Sequence, residues 1–492
     1  MPNVVFTRPE IAKLLPEYRL IRDCLSGETA IKEARTTYLP MPNASDKSRE
    51  NKERYNAYVA RAVFYNVTRR TLSGLVGQVF MIDPIIELPT QLKPLIDNVD
   101  GAGVSLTQQS KKVLSNALAF SRAGLLADYP QTEGNVSIAD IESGSIYPTI
   151  TEYSPQEIYN WRTITRGSRE ILSLLVLCES YIFADDGFEI KNAAQFRVLM
   201  LDASGEYVQQ IWRENSPTEW NGIKQIRSGN FNVSKQFKPL DFHGNPLREI
   251  PFEFVGSDNN DMWPDKPNFY DLASINVAHY RNSADYEESC FIVGQPTPVI
   301  TGVTEEWVTK VLNGTIDFGS RGGVPLPENA DLKLVQAGEN TMIKEAMETK
   351  ERQMVALGAK LVEQKQVQRT AFETKTEATS EGSILSSTAK NVQSAYLKAL
   401  AWCAVFTGSE GAATKFELNT EFDLTNATPE EQNATVKAWQ DGAITFKEMR
   451  NKLRKNGLAT EDDAEAEATI AAATAKAMAM EPVENTPGTG AV

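Results

Sequence analysis

Ser387-Thr-Ala-Lys390 fits the pattern S-x-x-K, and Ser257-Asp-Asn259 fits S-D-N. Together these are marks of serine acyltransferases, in which a lysine one helical turn after the serine can activate its hydroxyl. Here the two occur in reversed order and no K-T-G completes them. Asp128 is a second carboxylate of interest, but the sequence sets no acid or base beside it. The fragment DNVDGAG (97–103) approaches a calcium loop, yet its third position is Val99 and its twelfth is Gln108, so it reads as a surface turn. Metal chemistry is poorly served elsewhere. The four cysteines at 24, 178, 290 and 403 are widely separated, no C-x-x-C exists, and the histidines are only His243 and His279. No metal or other cofactor is therefore expected. The cysteines are expected to be reduced and buried, and His279, inside a helical stretch, to be a packing or hydrogen-bonding residue.

Nucleotide chemistry is also missing. There is no G-x-x-x-x-G-K-[ST], no G-x-G-x-x-G and no G-x-S-x-G. The chain has 492 residues and a formal charge of −15, the wrong sign for a protein that grips nucleic acid by releasing counterions. Its basic run Lys447, Arg450, Lys452, Arg454, Lys455 reads as a solvated helix face before it reads as a phosphate site. The N-terminal MPNVVFTRPE lacks the basic and apolar regions of a signal peptide, and the longest apolar runs, such as ILSLLVLC (171–178), are too short to span a bilayer. A soluble intracellular product is the expectation.

The elements that would position these residues come in a definite order. Residues 1–80 read as mostly helical and 81–89 as a short strand. Residues 105–127 carry apolar side chains at helical spacing and predict a helix stopped by Pro130. From 145 to 255, short runs rich in Ile, Val, Leu, Tyr and Phe alternate with turn residues and predict strands joined by hairpins, with a turn at 202–205. A helix is predicted from a cap at Asp271 to Val293, then a Gly- and Pro-rich, partly β stretch over 295–340, then a helix from Thr341 with Met347, Met354 and Leu361 every seventh residue. From Ser383, Leu385, Ala389, Val392, Tyr396, Ala399, Cys403 and Phe406 step by four and three along a narrow apolar seam that Gly408 ends. KFELNTEFDL (415–424) alternates as a strand does. Capping boxes at Thr428–Glu431 and Thr445–Glu448 open two more helices, an Ala-rich helix follows over 461–480, and EPVENTPGTGAV reads as disordered.

Between the helices sits the polar stretch RTAFETKTEATSEG, thick with Thr, Glu and Lys and with almost nothing to bury. Several segments then form a recognisable set: SRAGLLADYP (121–130), YSPQEIYNWR (153–162), QFRVLMLDASGEY (195–207), IPFEFVG (250–256), DLASINVAHYRNSADYEESCFIVGQPTPVITG (271–302), QMVALGAKLVE (353–363), the block 373–408 and WQDGAITFKEMRNKLRKNGL (439–458). In order and spacing this set resembles the portal proteins, the head-to-tail connectors of tailed bacteriophages, over roughly residues 8–475.

The resemblance implies an α+β portal fold. Residues 1–265 would form an α/β wing, 266–294 the first stem helix, 295–340 a small β-containing clip, and 341–362 the second stem helix. Residues 363–382 would be a tunnel loop, 383–427 a helix and strand returning to the wing, 428–480 a helical crown and 481–492 a disordered tail. It also implies a ring, typically of twelve copies, at one capsid vertex of the virion, assembled in the host cytoplasm, through which double-stranded DNA is packaged and ejected. The implied partners are further copies of the chain, the large terminase that hydrolyses ATP, a head–tail adaptor or tail proteins, and the major capsid and scaffold proteins; no membrane and no catalysis are implied. Lys365, Gln368, Arg369, Thr370, Glu373 and Lys375 would face the DNA channel, and Pro296, Pro298, Gly302, Gly319, Arg321 and Gly322 would shape the clip that docks partners. A polar loop suits a water-filled channel, because it hydrates a passing duplex without reading its bases. A dodecamer would carry about −180 charges, a wall past which DNA slides rather than sticks. Another virion assembly or adaptor protein, and a serine hydrolase built on Ser387, remain as alternatives.

Overall fold

The computed structural model describes residues 3–130, 146–220, 228–293, 297–312, 326–335, 341–360, 383–409, 411–420 and 429–455, with a few single positions besides (222, 225, 226, 422, 466 and 469). The chain divides into two compact units, Met1–Thr420 and Glu421–Val492. Its class is mixed α and β, as the sequence predicts.

The first unit opens on helices α1 (Pro9–Ser26), α2 (Arg49–Arg61) and α3 (Val67–Val79), then the short strand β1 (Ile85–Glu87) and helix α4 (Leu106–Phe120). Local chemistry sets their starts. Pro9 occupies the first turn of α1, where its missing N–H costs nothing. The Ser48 and Asn66 side chains cap α2 and α3, and Ser105 with Gln108 closes a full capping box on α4.

The predicted helix over 105–127 is corrected here. It stops at Phe120, Ser121 turns the chain in the left-handed region at φ 56°, and residues 122–128 become strand β2. Apolar residues at 123, 125, 126 and 127 fit a strand buried on both faces as well as a helix, so periodicity alone did not separate the two. Neighbours decide it. β2 lies between β3 (Thr149–Tyr153) and β9 (Phe252–Gly256), antiparallel to both. Gly124 admits the Phe252 ring, which would stand 2.2 Å from any Cβ placed there.

A second sheet runs β4 (Ile158–Arg166), β5 (Arg169–Asp185), β6 (Ile190–Leu201), β7 (Tyr207–Glu214) and β8 (Phe231–Phe237), each antiparallel to the next. The turn at 202–205 forms as expected, with Asp202 accepting from the amides of Ser204 and Glu206 while Gly205 takes φ +75°.

Helix α5 (Tyr270–Val293), the antiparallel hairpin β10 (Thr297–Thr301) and β11 (Asp331–Val335), and helix α6 (Thr341–Lys360) follow. Asp271 falls inside the first turn of α5 instead of capping it, where its charge still favours the positive end of the helix dipole. Helix α7 (Ile384–Thr407) is capped by Ser383 and ended by Gly408 in the left-handed conformation. Every residue of its predicted seam, from Leu385 to Phe406, is buried. α7 lies against α4, β2 and β9, and so forms the spine of the first unit. The strand predicted over 415–424 is shorter, β12 (Lys415–Glu417), paired with β1.

In the second unit, α8 (Pro429–Gln440) and α9 (Phe446–Lys455) are connected through a turn with Gly442 at φ +73°. The Thr445–Glu448 capping box closes in both directions, at 2.8 and 3.2 Å. Thr428, Gly457, the tail 481–492 and most of the predicted Ala-rich helix lie outside the described residues. Cys24, Cys178 and Cys403 are buried as expected, but Cys290 is exposed near the end of α5.

Candidate assembly site

The two helices that the sequence places around the hairpin lie side by side. His279, only 2% exposed, reaches from α5 to Glu351 on α6 with Nε2 and Oε1 3.1 Å apart. With its amide oriented to donate to the Ala278 carbonyl, Asn282 accepts from Lys350 Nζ at 3.1 Å, a second link between the same helices. Met354 is fully buried, and Met347 half-buried, along the predicted seven-residue repeat; Leu361 lies outside the described residues. The first part of α5 is locked into the N-terminal helices. Buried Asn276 accepts from the Thr68 amide and hydroxyl and donates to the Tyr65 carbonyl at 2.8 Å. Arg281 donates to the Tyr38 carbonyl at 2.7 Å, Ser283 accepts from the Val63 amide at 3.0 Å, and Glu288 pairs with Arg61. Beyond Glu288 the contact with α2 continues through Arg61, whose guanidinium lies 4.3 Å over the Phe291 ring, and Phe291 and Ile292 stand about half exposed, at 48% and 53%.

The hairpin is barer still. Val299, Leu334 and Val335 are exposed on a ribbon of two strands. Among the described residues both strands are edges, where Pro298 is tolerated within β10, opposite Leu334. Gly302 turns the chain out of β10 at φ +79°, and a Cβ there would stand 2.5 Å from the Asn329 carbonyl oxygen, so glycine is required. Of the six residues expected to shape the clip, these two have their backbone described; Pro296, Gly319, Arg321 and Gly322 lie outside the described residues. So do all six channel candidates, Lys365, Gln368, Arg369, Thr370, Glu373 and Lys375.

The two acyltransferase-like motifs do meet, for a structural reason. Ser387 Oγ donates to the Ser257 carbonyl at 3.3 Å, and Asn391 Nδ2 donates to the carbonyls of Gly256 and Ser257 at 3.0 and 3.1 Å. Asn260 returns a bond to the Asn391 carbonyl at 2.8 Å. These contacts tie α7 to the turn after β9. The serine proton goes to a carbonyl rather than a base, and Lys390 is exposed. Ser387→Ala should cost less than about 1 kcal/mol, because Asn391 still satisfies the Ser257 carbonyl. Urea unfolding checks this, and a loss above about 2 kcal/mol would show Ser387 to carry more than this tie.

Asp128 has partners after all. Arg197 on β6 holds it at 3.0 Å and Glu179 on β5 at 2.6 Å, and Gln209 on β7 donates to Asp128 at 2.9 Å. Tyr153 on β3 donates to Glu179. Burial raises the Asp128 carboxyl above its ordinary value, against the pull of Arg197. Burial also raises Glu179, but Arg197, Tyr153 and Gln195 together outweigh it and its pKa ends lowered. The cluster joins the two sheets. Its sequence signal was Arg197 itself, a cation inside the apolar run of β6, though nothing local named its partners.

The DNVDGAG segment is the turn expected, with Asp100 accepting from the amides of Ala102 and Val104. Among the described residues no cluster of three or more His, Cys, Asp or Glu could hold a metal, and no helix is long and apolar enough to cross a membrane.

A protein-family model described as "Domain of unknown function (DUF4055)" matches residues 268–407, which run from the start of α5 to the end of α7. No curated protein matches the chain in sequence. Among solved structures, a chain from the "Neck of empty GTA particle computed with C6 symmetry" superposes over 81% of this chain and 91% of its own, at 13% identity and a TM-score of 0.38, too loose a likeness to carry an argument.

Proposed function

We propose that this chain is a ring-forming structural subunit of a phage-like particle, and specifically a portal-type conduit for double-stranded DNA. The observation that carries the reading is the pair α5 and α6, clamped through His279 and Glu351, with a small ribbon between them whose aliphatic side chains are exposed among the described residues. A two-stranded ribbon alone is marginal in water, so its stability must come from neighbours. Identical ribbons around a ring would supply them and bury Val299, Leu334 and Val335 together. The family match spans this stretch and its return helix as one block. The proposed copy number is twelve. The large terminase and a head–tail adaptor are the proposed partners at the hairpin, and the polar stretch 363–382 is proposed to meet the DNA.

Negative-stain imaging and mass photometry of the purified chain test this. Closed rings of about a dozen copies with a central hole are expected. Leu334→Lys with Val335→Lys should shift the population to monomers and small oligomers, because each buried aliphatic contributes about 1.5–3 kcal/mol, or roughly ten- to a hundredfold in association per contact. Failure of the native chain to form closed annuli at any concentration overturns the proposal.

A further inference from the structure

A pocket of about 580 Å³ opens between α1, α3 and α4, within the size range of ligand sites. Its wall is apolar at Leu25, Leu72, Val76 and Phe80, and its charged groups are Arg69 and Lys111. No carboxylate among the described residues lines it. Lys111 Nζ stands 5.2 Å from the centre of the Phe80 ring, and neither Arg69 nor Lys111 has an ion-pair partner among the described residues. Both are exposed at the pocket, and in a chain with 65 acids and 50 bases two cations with no acid partner among the described residues favour an anionic ligand. A phosphate backbone would make no use of Leu72, Val76 and Phe80. A peptide with acidic residues beside an aliphatic one uses both kinds of wall.

The chain itself carries such a peptide. Residues 461–467 read Glu-Asp-Asp-Ala-Glu-Ala-Glu, its densest acidic run, with Ile470 close behind and no base between Lys455 and Lys476. We propose that the pocket between α1, α3 and α4 receives the acidic segment 461–467 of a second copy of this chain, with Arg69 and Lys111 pairing its carboxylates. This rests on the ring reading only in requiring a neighbouring copy.

Photo-crosslinking of the full-length protein tests it. Benzoylphenylalanine is placed at exposed Ser73, on α3 beside the pocket, and the products are resolved by denaturing gel and mass spectrometry. Dimers and higher species whose cross-links map to residues 459–472 are expected. Arg69→Glu with Lys111→Glu should reduce them roughly five- to tenfold, and adding Glu461→Lys, Asp462→Lys and Asp463→Lys should restore them. Circular dichroism confirms folding; if the reversal unfolds the chain, Arg69→Gln with Lys111→Gln is read instead. Adducts confined to the monomer, adducts mapping elsewhere, or no rescue overturn the proposal. Trans cross-links at this segment without closed rings in the microscope would leave this interface standing and remove the ring. Closed rings without such cross-links would do the reverse.

Discussion

Tyr396→Ala is expected to destabilise the first unit by about 3–5 kcal/mol, the cost of emptying an aromatic site in a packed core. Tyr396 is fully buried at the middle of α7, where three layers converge. Its ring lies 4.9 Å from the Phe416 ring of β12. Its hydroxyl donates to Gln109 on α4 at 3.0 Å, and Gln109 in turn donates to the Ile150 carbonyl of β3 at 2.7 Å. The truncation therefore opens a cavity and leaves a buried amide oxygen unpaired. Tyr396→Phe separates the two effects, since it keeps the ring and should cost only about 1–3 kcal/mol for the orphaned acceptor. The first thermal transition and the urea midpoint measure both variants. If Tyr396→Ala melts like the native chain, α7 is not the spine described here. The hydrophobic surface of that helix would then have to belong to another partner.

The ease with which α7 is read from sequence shows what one dimension can carry. A helix buried along one narrow stripe prints its partner-facing side every three or four residues, and a serine and a glycine mark its two ends. The order helix, hairpin, helix is legible for the same reason, because Pro298 and Gly302 punctuate it and each neighbour is close in the chain. Residues 122–128 are not legible as a strand because one covered on both faces loses its alternation, and only β3 and β9, distant in sequence, reveal it. The site residues divide along that line too. Gly302 announces itself through backbone geometry. The clamp between His279 and Glu351 depends on two residues 72 apart in sequence lying at one height on separate helices, and no local pattern encodes that. The pocket with Arg69 and Lys111 was invisible because its chemistry lies in what three separate helices fail to supply, a nearby acid.

The same long-range logic makes Arg197 the most exacting test of the joint between the sheets. Arg197→Met should cost about 3–5 kcal/mol at neutral pH, because it leaves Asp128 and Glu179 as mostly buried carboxylates without their cation. The pH dependence then distinguishes an electrostatic role from simple packing. In the native protein the two acids oppose each other. Asp128 has a raised pKa, so its contribution is present at low pH and is lost as pH rises through the folded value. Glu179 has a lowered pKa, so its contribution is present above the unfolded value and is lost as pH falls through the folded one. With Arg197 gone, the hydrogen bonds from Gln209 to Asp128 and from Tyr153 and Gln195 to Glu179 still oppose burial, and both carboxyls are expected to rise. Protonation then becomes favourable in the folded state, so the variant should recover as pH falls from 7.5 to about 5. Urea midpoints for the two proteins across that range should converge by at least about 1 kcal/mol, and Asp128→Asn added to Arg197→Met should recover part of the loss at neutral pH. A difference that stays constant from neutral to acid pH would mean that Arg197 fills space between the sheets and does not hold the two carboxylates ionised.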